Sequence, residues 1–435
     1  MKVVFDISVL GLAHVNPVSR TGVYRVVENV LQQLYRHSDT ELTFISNRDE
    51  ETLEYSLNYW KSAKTASSVP FSRPLLFARR RQLPLRISQR MHQLVNDSSL
   101  SYFQKTRLRL DIKRLLGLQR IYGMFGTALY HSSDLRKADI YHSPFFPLPD
   151  RRIAGVNTKF FVTCYDLIPV LYPHFFPDSL VTQFTEILDS LDAETWVLCI
   201  STSTRNDLLG YMGSRLDPDK VVVTSLAASD NFYPSTDKAV NLAMRQKYQI
   251  PDVPYLLSVC TLEPRKNIDQ VIKAFAKLMN EGRAGDLHLV LVGVKGWKFE
   301  KIFEELTRSE ELKKRIIITG FVADEDLAAL YSGALFFVYT SFYEGFGLPP
   351  LEAMKCGIPV ITSNTSSLPE VVGDAGLMVS PTALEELCEA MMLLYNNVGL
   401  RKEMGQKSLQ QASRFSWEQC GLDTIAAYKR SLQHP

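Results

Sequence analysis

The residues from Tyr339 to Gly357 carry the densest chemistry in the chain: Tyr339-Thr340-Ser341-Phe342-Tyr343-Glu344-Gly345-Phe346-Gly347-Leu348-Pro349-Pro350-Leu351-Glu352-Ala353-Met354-Lys355-Cys356-Gly357. A strand end passes into a loop with two glycines, two prolines fill a first helical turn that needs no N–H donors, and Gly357 marks the far cap. Glycines let the backbone approach a ligand closely, and free N–H groups at the positive end of a helix dipole favour an anion such as phosphate. Glu344 and Glu352 flank that point. Two carboxylates beside a phosphate are costly unless they bind something uncharged, and sugar hydroxyls donate hydrogen bonds to carboxylates. Taken as an isolated pair, they read equally as surface glutamates on an ordinary capped helix.

The pair is not isolated. Leu262-Glu263-Pro264-Arg265-Lys266-Asn267 sets two cations at a strand end just before a helix. In α/β sheets ligands bind at that edge. Arg265 offers a planar fork and Lys266 a point charge, both suited to a diphosphate. Cations at the helix end that repels them also call for an anion.

The elements that must position these residues alternate. A strand Val3–Asp6 leads through a glycine-containing loop into a helix with apolar Val23, Val26, Val27, Val30, Leu31 and Leu34 at the 3.6 period. Strand-like runs follow at Leu42–Ser46, Ile140–His142, Phe160–Cys164 and Val197–Ile200. From Pro254 the alternation restarts: Tyr255–Cys260, a helix Asn267–Met279, His288–Val292, a helix Phe299–Thr307, then apolar runs at Ile316–Thr319, Leu327–Tyr331, Leu335–Tyr339 and Val360–Thr362. This predicts parallel α/β structure in two domains, joined through the proline-containing, polar stretch Ala227–Pro254. The first domain spans 1–230 with a helical insertion at about 51–135; the second spans 250–412. A closing helix, Ser416–Leu432, is free to pack on either, with Trp417, Cys420, Leu422, Ile425, Ala426 and Tyr428 as its apolar stripe.

Composition narrows the class. The 435 residues are 46% hydrophobic and 22% charged, with 49 Lys and Arg against 47 Asp and Glu. Two folded cores are expected, and the net charge of +2 gives no whole-protein attraction to nucleic acid. Six scattered cysteines without a C-x-x-C pair read as reduced core thiols, with no disulfide frame or zinc site. No signal peptide and no membrane-spanning run is evident, so a cytoplasmic protein is expected. Between Arg73 and Arg120, twelve Lys or Arg face two Asp or Glu, interleaved with apolar residues. This basic amphipathic insertion reads as solvated surface helices or as a patch for an anionic membrane surface, lipid phosphate or nucleic acid.

Glu263 to Asn267, the Glu344/Glu352 pair around Gly345-Phe346-Gly347, and Leu368-Pro369-Glu370-Val371-Val372-Gly373-Asp374-Ala375-Gly376 together resemble the retaining glycosyltransferases of family 4. That resemblance implies the GT-B architecture, two Rossmann-like α/β domains facing across a cleft. It further implies that Glu344 holds hydroxyls of the donor hexose and Glu352 the ribose. Gly345, Phe346, Gly347 and Leu348 present amides to sugar and diphosphate, and Arg265 and Lys266 neutralise the leaving diphosphate in place of a metal ion. Val322, with Phe321, meets the base, and Gly22 in Arg20-Thr21-Gly22-Val23-Tyr24 matches the glycine loop that closes over the diphosphate, though by itself it reads equally as a turn glycine. No cofactor or metal is expected.

Two positions depart from the family pattern. Thr163-Cys164-Tyr165-Asp166 has Tyr165 where many relatives have histidine, and a phenol is a poor base near neutral pH. Asp166 is the candidate partner for the acceptor hydroxyl, or else a helix or turn cap. Cys260 stands where relatives often carry an arginine. His142 at another strand end lines the cleft or is a structural histidine. The expected reaction is retaining transfer of a hexose from a nucleotide sugar, UDP-glucose preferred and GDP-mannose next, to a glycan or lipid-linked hydroxyl in polysaccharide or glycolipid synthesis. Domain closure about the linker assembles the site, with peripheral contact at the inner membrane face through the insertion. The rival readings are a nucleotide-sugar epimerase on the same architecture and a non-catalytic protein that binds nucleic acid or membrane through the insertion.

Overall fold

A computed structural model describes residues 1–16, 22–63, 66–73, 86–87, 90–91, 93–94, 101–124, 129–296 and 309–433. The expected helix Phe299–Thr307 and the loop residues Arg20 and Thr21 lie outside these, as does much of the basic insertion. The strands are β1 Lys2–Asp6, β2 Glu41–Ile45, β3 Ile140–Ser143, β4 Lys159–Cys164, β5 Trp196–Cys199 and β6 Val221–Val223, followed by β7 Tyr255–Val259, β8 His288–Val292, β9 Ile316–Gly320, β10 Phe336–Tyr339, β11 Val360–Ser363 and β12 Gly376–Val379. They form two six-stranded sheets, ordered β2-β1-β3-β4-β5-β6 and β12-β11-β10-β7-β8-β9. By compactness the chain divides into Met1–Val162 and Thr163–Pro435, a boundary inside β4.

Both sheets are parallel, with β1 in register against β2 from Lys2↔Glu41 to Asp6↔Ile45 and β7 against β8 from Tyr255↔His288 to Val259↔Val292. Their central strands are buried on both faces, as parallel strands covered by helices must be, which is why they read as continuous apolar runs rather than alternating ones. The second sheet has the doubly wound order in which the chain reverses direction between β7 and β10. All six cysteines are free and buried.

Several elements differ from the sequence-based expectation. The loop after β1 contains a helix, Ser8–Val15, whose glycine reads as punctuation in sequence but sits inside the element. Leu327–Tyr331 belongs to a helix, Asp324–Gly333, with Asp324, Glu325 and Asp326 in the first turn where the helix dipole favours acids. The interdomain stretch is no bare linker. It holds a helix Lys238–Lys247 capped by Asp237, and Lys247 and Tyr248 both reach Asp326 at 2.6 Å. The closing helix spans Trp417–Gln433 and buries Cys420, Thr424, Ile425, Ala427 and Tyr428, leaving Leu422 and Ala426 exposed. Its Arg430 lies over the Trp196 ring of β5 at 5.7 Å.

Candidate active site

The charged residues gather where the second sheet reverses. β7 and β10 are neighbours and the chain leaves them toward opposite edges, the point of an open α/β sheet at which ligands bind. The two loops are tied together. Asn267, in the left-handed conformation (φ 57°), donates through Nδ2 to Thr340 O at 3.0 Å and Pro381 O at 2.7 Å, and Phe342 N donates to Arg265 O at 2.9 Å.

On this frame Glu344 sits between two cations. Its Oε1 is 2.7 Å from Lys266 Nζ, 2.8 Å from the Tyr339 hydroxyl and 2.5 Å from Ser341 Oγ, and its Oε2 is 3.0 Å from Arg265 Nη1. Burial alone would raise the carboxyl, but the Arg265 guanidinium and Lys266 ammonium outweigh it and hold Glu344 at about 2. Arg265 also donates through Nη2 to Glu263 Oε1 at 2.8 Å and through Nη1 to Tyr343 O at 2.7 Å, while its Nε is buried without a partner. Burial would lower the guanidinium; Glu344 and Glu263 reverse that and raise it. Two cations and two carboxylates thus balance in a nearly dry cluster, the side chains of Arg265, Lys266 and Glu344 being 12%, 12% and 10% exposed.

The sequence separates the roles of Glu344 and the cation pair; the fold puts them in direct contact. Glu263, Tyr339 and Ser341 were missed as parts of this cluster. Glu263 heads the motif Glu263–Asn267, while the signal for Tyr339 and Ser341 is their position at or just beyond the end of β10.

The glycine loop wraps this cluster. A Cβ on Gly345 would lie 2.2 Å from the Tyr165 carbonyl oxygen and 3.0 Å from Asp166 Cβ, so only glycine permits that approach. Gly347 has φ 121°, a conformation other residues avoid, and starts the helix Leu348–Lys355. Thr204 Oγ1 lies 3.2 Å from both Tyr165 O and Gly345 O, and Ser367 Oγ lies 2.9 Å from Glu344 O and 2.6 Å from Phe346 O. The Phe346 ring turns into the core, edge-on to Phe415 at 5.7 Å. Glu352 is buried in the same helix, its Oε2 accepting from the Tyr331 hydroxyl at 3.0 Å. Glu370, from the third sequence motif, accepts from Thr202 N at 2.9 Å and Ser203 N at 3.1 Å, the first turn of helix Thr202–Met212.

Tyr165 and Asp166 follow β4. Tyr165 is buried, and burial raises its phenol. Asp166 Oδ1 accepts from Ile168 N at 2.9 Å, starting the turn Ile168–Leu171. Burial raises its carboxyl against the pull of Arg265 and Lys266, so Asp166 lies within the field of the cluster. His142 is 1% exposed and packed edge-on against Phe5 at 5.0 Å; burial lowers its imidazole to about 3, leaving it neutral and structural in surroundings. Val322 is buried just after Gly320 ends β9, whereas the neighbouring Phe321 is 71% exposed. Gly22 is exposed, with φ 50°, at the start of helix Val23–Arg36. Among the described residues, no group of three or more His, Cys, Asp or Glu side chains could hold a metal ion, and no helix is long and apolar enough to cross a membrane.

Two Rossmann-like parallel sheets, one with a cation pair and glycine loop at its reversal, define the GT-B class of glycosyltransferases. Sucrose-phosphate synthase from Thermosynechococcus elongatus shares the fold over all of both chains, with a TM-score of 0.63 at 17% identity. Residues 241–411 match the family described as Glycosyl transferases group 1. The chain is 38% identical to the O-antigen chain mannosyltransferase B of Escherichia coli, over 67% of this chain and 74% of that one. It is 31% identical to a serotype-specific mannosyltransferase WbdA of Escherichia coli over 64% of this chain, spanning 34% of that longer protein. The chain belongs to the glycosyl transferases group 1 family.

Proposed function

We propose that this protein transfers mannose from a nucleoside-diphosphate mannose, GDP-mannose first among them, to a hydroxyl of a glycan or lipid-linked acceptor, retaining the anomeric configuration and needing no metal. The observation that carries this is the Arg265–Lys266–Glu344 cluster at the sheet reversal, in a chain 38% identical to a protein named as a mannosyltransferase. UDP-glucose, the donor preferred from the sequence, yields to mannose because the curated relatives above are both named for mannose transfer.

In this reading Arg265 and Lys266 meet the charge that builds on the departing diphosphate, and Glu344 and Glu352 take hydroxyls of the hexose and the ribose. The acceptor oxygen forms its bond to the anomeric carbon on the face from which the diphosphate leaves. The carbon–phosphate-oxygen bond breaks, and the acceptor proton passes to a diphosphate oxygen. The raised phenol of Tyr165 makes it no base for that proton near neutral pH, and Asp166 orients the acceptor hydroxyl.

The test is thermal stability of the full chain against GDP-mannose, UDP-glucose and their free nucleotides, repeated on Glu352→Ala. At a hundredfold excess over Kd a ligand adds about 2.7 kcal/mol of stability. GDP-mannose is expected to give the largest shift, diminished in the variant. A shift from UDP-glucose with none from GDP-mannose would overturn the mannose assignment.

A further inference from the structure

The helix Thr202–Met212 follows β5 in the first sheet, yet it is fastened to the loop that follows β10 in the second, all within the compact unit Thr163–Pro435. Ser201 caps it, its Oγ accepting from Thr204 N at 3.0 Å, and the N–H groups of Thr202 and Ser203 go to Glu370. Thr204 reaches the Gly345 carbonyl, as described above. One turn further on, Asp207 Oδ2 accepts from the Tyr343 hydroxyl at 2.6 Å. Thr204 and Asp207 are three residues apart, so one face of the helix carries both attachments. Asp207 lies in none of the motifs that mark the site, 136 residues from its partner in sequence.

Tyr343 connects this helix to the cation pair. Its ring packs on Tyr172 at 5.1 Å, its hydroxyl is held by Asp207, and its carbonyl oxygen accepts from Arg265 Nη1 at 2.7 Å. That same Nη1 is 3.0 Å from Glu344 Oε2, while Nη2 goes to Glu263. The direction of the Arg265 fork therefore depends on where the Tyr343 carbonyl stands. An O–H donor on a carboxylate at 2.6 Å belongs to the strong, charge-assisted class of hydrogen bond. Burial first, and then the Asp207 carboxylate, raise the Tyr343 phenol, which keeps it a donor at neutral pH. From this we infer that Asp207 is a positioning residue for the transfer reaction: through the Tyr343 hydroxyl it fixes the carbonyl that aims Arg265 at the diphosphate. The inference rests on the reading of Arg265 as a ligand of the diphosphate, and a group that holds such a ligand in place governs its geometry without touching the substrate.

The experiment is calorimetric titration of the full chain with inorganic pyrophosphate, which carries the diphosphate without a base, and with GDP and UDP. It is repeated on Asp207→Ala, Asp207→Asn and Arg265→Lys, and on Asp207→Ala combined with Arg265→Lys. Asp207→Ala is expected to weaken pyrophosphate and the bound nucleotide by the same factor, roughly tenfold, with the unliganded Tm little changed because alanine suits a helix interior. Asp207→Asn keeps an acceptor oxygen for Tyr343 and should restore most of the affinity. On the Arg265→Lys background, where the charge stays but the fork is gone, Asp207→Ala should cost less than about twofold. Unchanged pyrophosphate affinity in Asp207→Ala, or the same tenfold loss with and without the Arg265 fork, overturns the inference while leaving the transferase reading intact. A parent chain that binds pyrophosphate and UDP but not GDP overturns the guanine donor, and the Asp207 comparison is then read on pyrophosphate and UDP. A parent that binds none of the three overturns both. Should Asp207→Ala not fold, Tyr343→Phe, which keeps the ring and removes only the hydroxyl, must give the same loss.

Discussion

Glu344 shows how much one carboxylate can organise. Removing its charge by Glu344→Gln leaves the largely buried Arg265 with Glu263 and the largely buried Lys266 with the Tyr339 hydroxyl, at a cost of about 3–5 kcal/mol by urea unfolding. Part of that loss should be recovered by a diphosphate nucleotide, and a variant as stable as the parent would refute the cluster. Because the folded carboxyl is held at about 2, below its ordinary 4.5, its contribution is present above pH 4.5 and disappears as pH falls toward 2. Asp6 has the opposite sign. It is fully buried at the end of β1, its Oδ2 unpartnered, and burial raises it to about 6 from 3.8 despite hydrogen bonds from Ser8. Its effect therefore favours the fold below pH 4 and is lost as pH rises through 6. Asp6→Asn should flatten the stability profile across that window by roughly 2–3 kcal/mol, read as Tm against pH; an unchanged profile would assign the titration elsewhere. At this scale the sequence exposes Arg265, Lys266, Glu344 and Glu352 through their motifs. It hides Glu263 and Tyr339 as partners, because a side chain's partners across two strands are not written in local spacing.

Among the elements, the glycine loop after β10 depends on a backbone approach that no side chain survives. Gly345→Ala sets a methyl group 2.2 Å from the Tyr165 carbonyl, so the loop or the end of β4 must shift, typically at about 1–3 kcal/mol. Transfer activity should fall by about a hundredfold while the far-ultraviolet spectrum stays native, since a misplacement of about 1 Å has that effect on reacting geometry. An active Gly345→Ala enzyme would show that this contact does not shape the site. The strands were largely legible, as continuous apolar runs with polar punctuation. The helices Ser8–Val15 and Lys238–Lys247 were not: one holds a glycine within an apolar run, and the other lies in a polar segment whose partner, Asp326, is 79 residues from Lys247 in sequence.

For the whole molecule, the neutral cluster of two cations and two carboxylates sets an expectation about the reaction's charge. If Arg265 and Lys266 meet the leaving diphosphate, transfer from GDP-mannose should continue in excess EDTA; loss of turnover restored by Mg²⁺ or Mn²⁺ would give that role to a metal. By itself the sequence determined the parallel α/β class, the doubled alternation, the motif residues at the ends of β7 and β10 and the family they resemble. Those properties rest on local periodicity and on short stretches whose chemistry is complete within a few residues. Tertiary structure alone decided that Glu344 pairs with both cations and that His142 is packed among aromatic rings. Each of these depends on which strands and helices lie side by side, and that adjacency follows from the packing of distant segments.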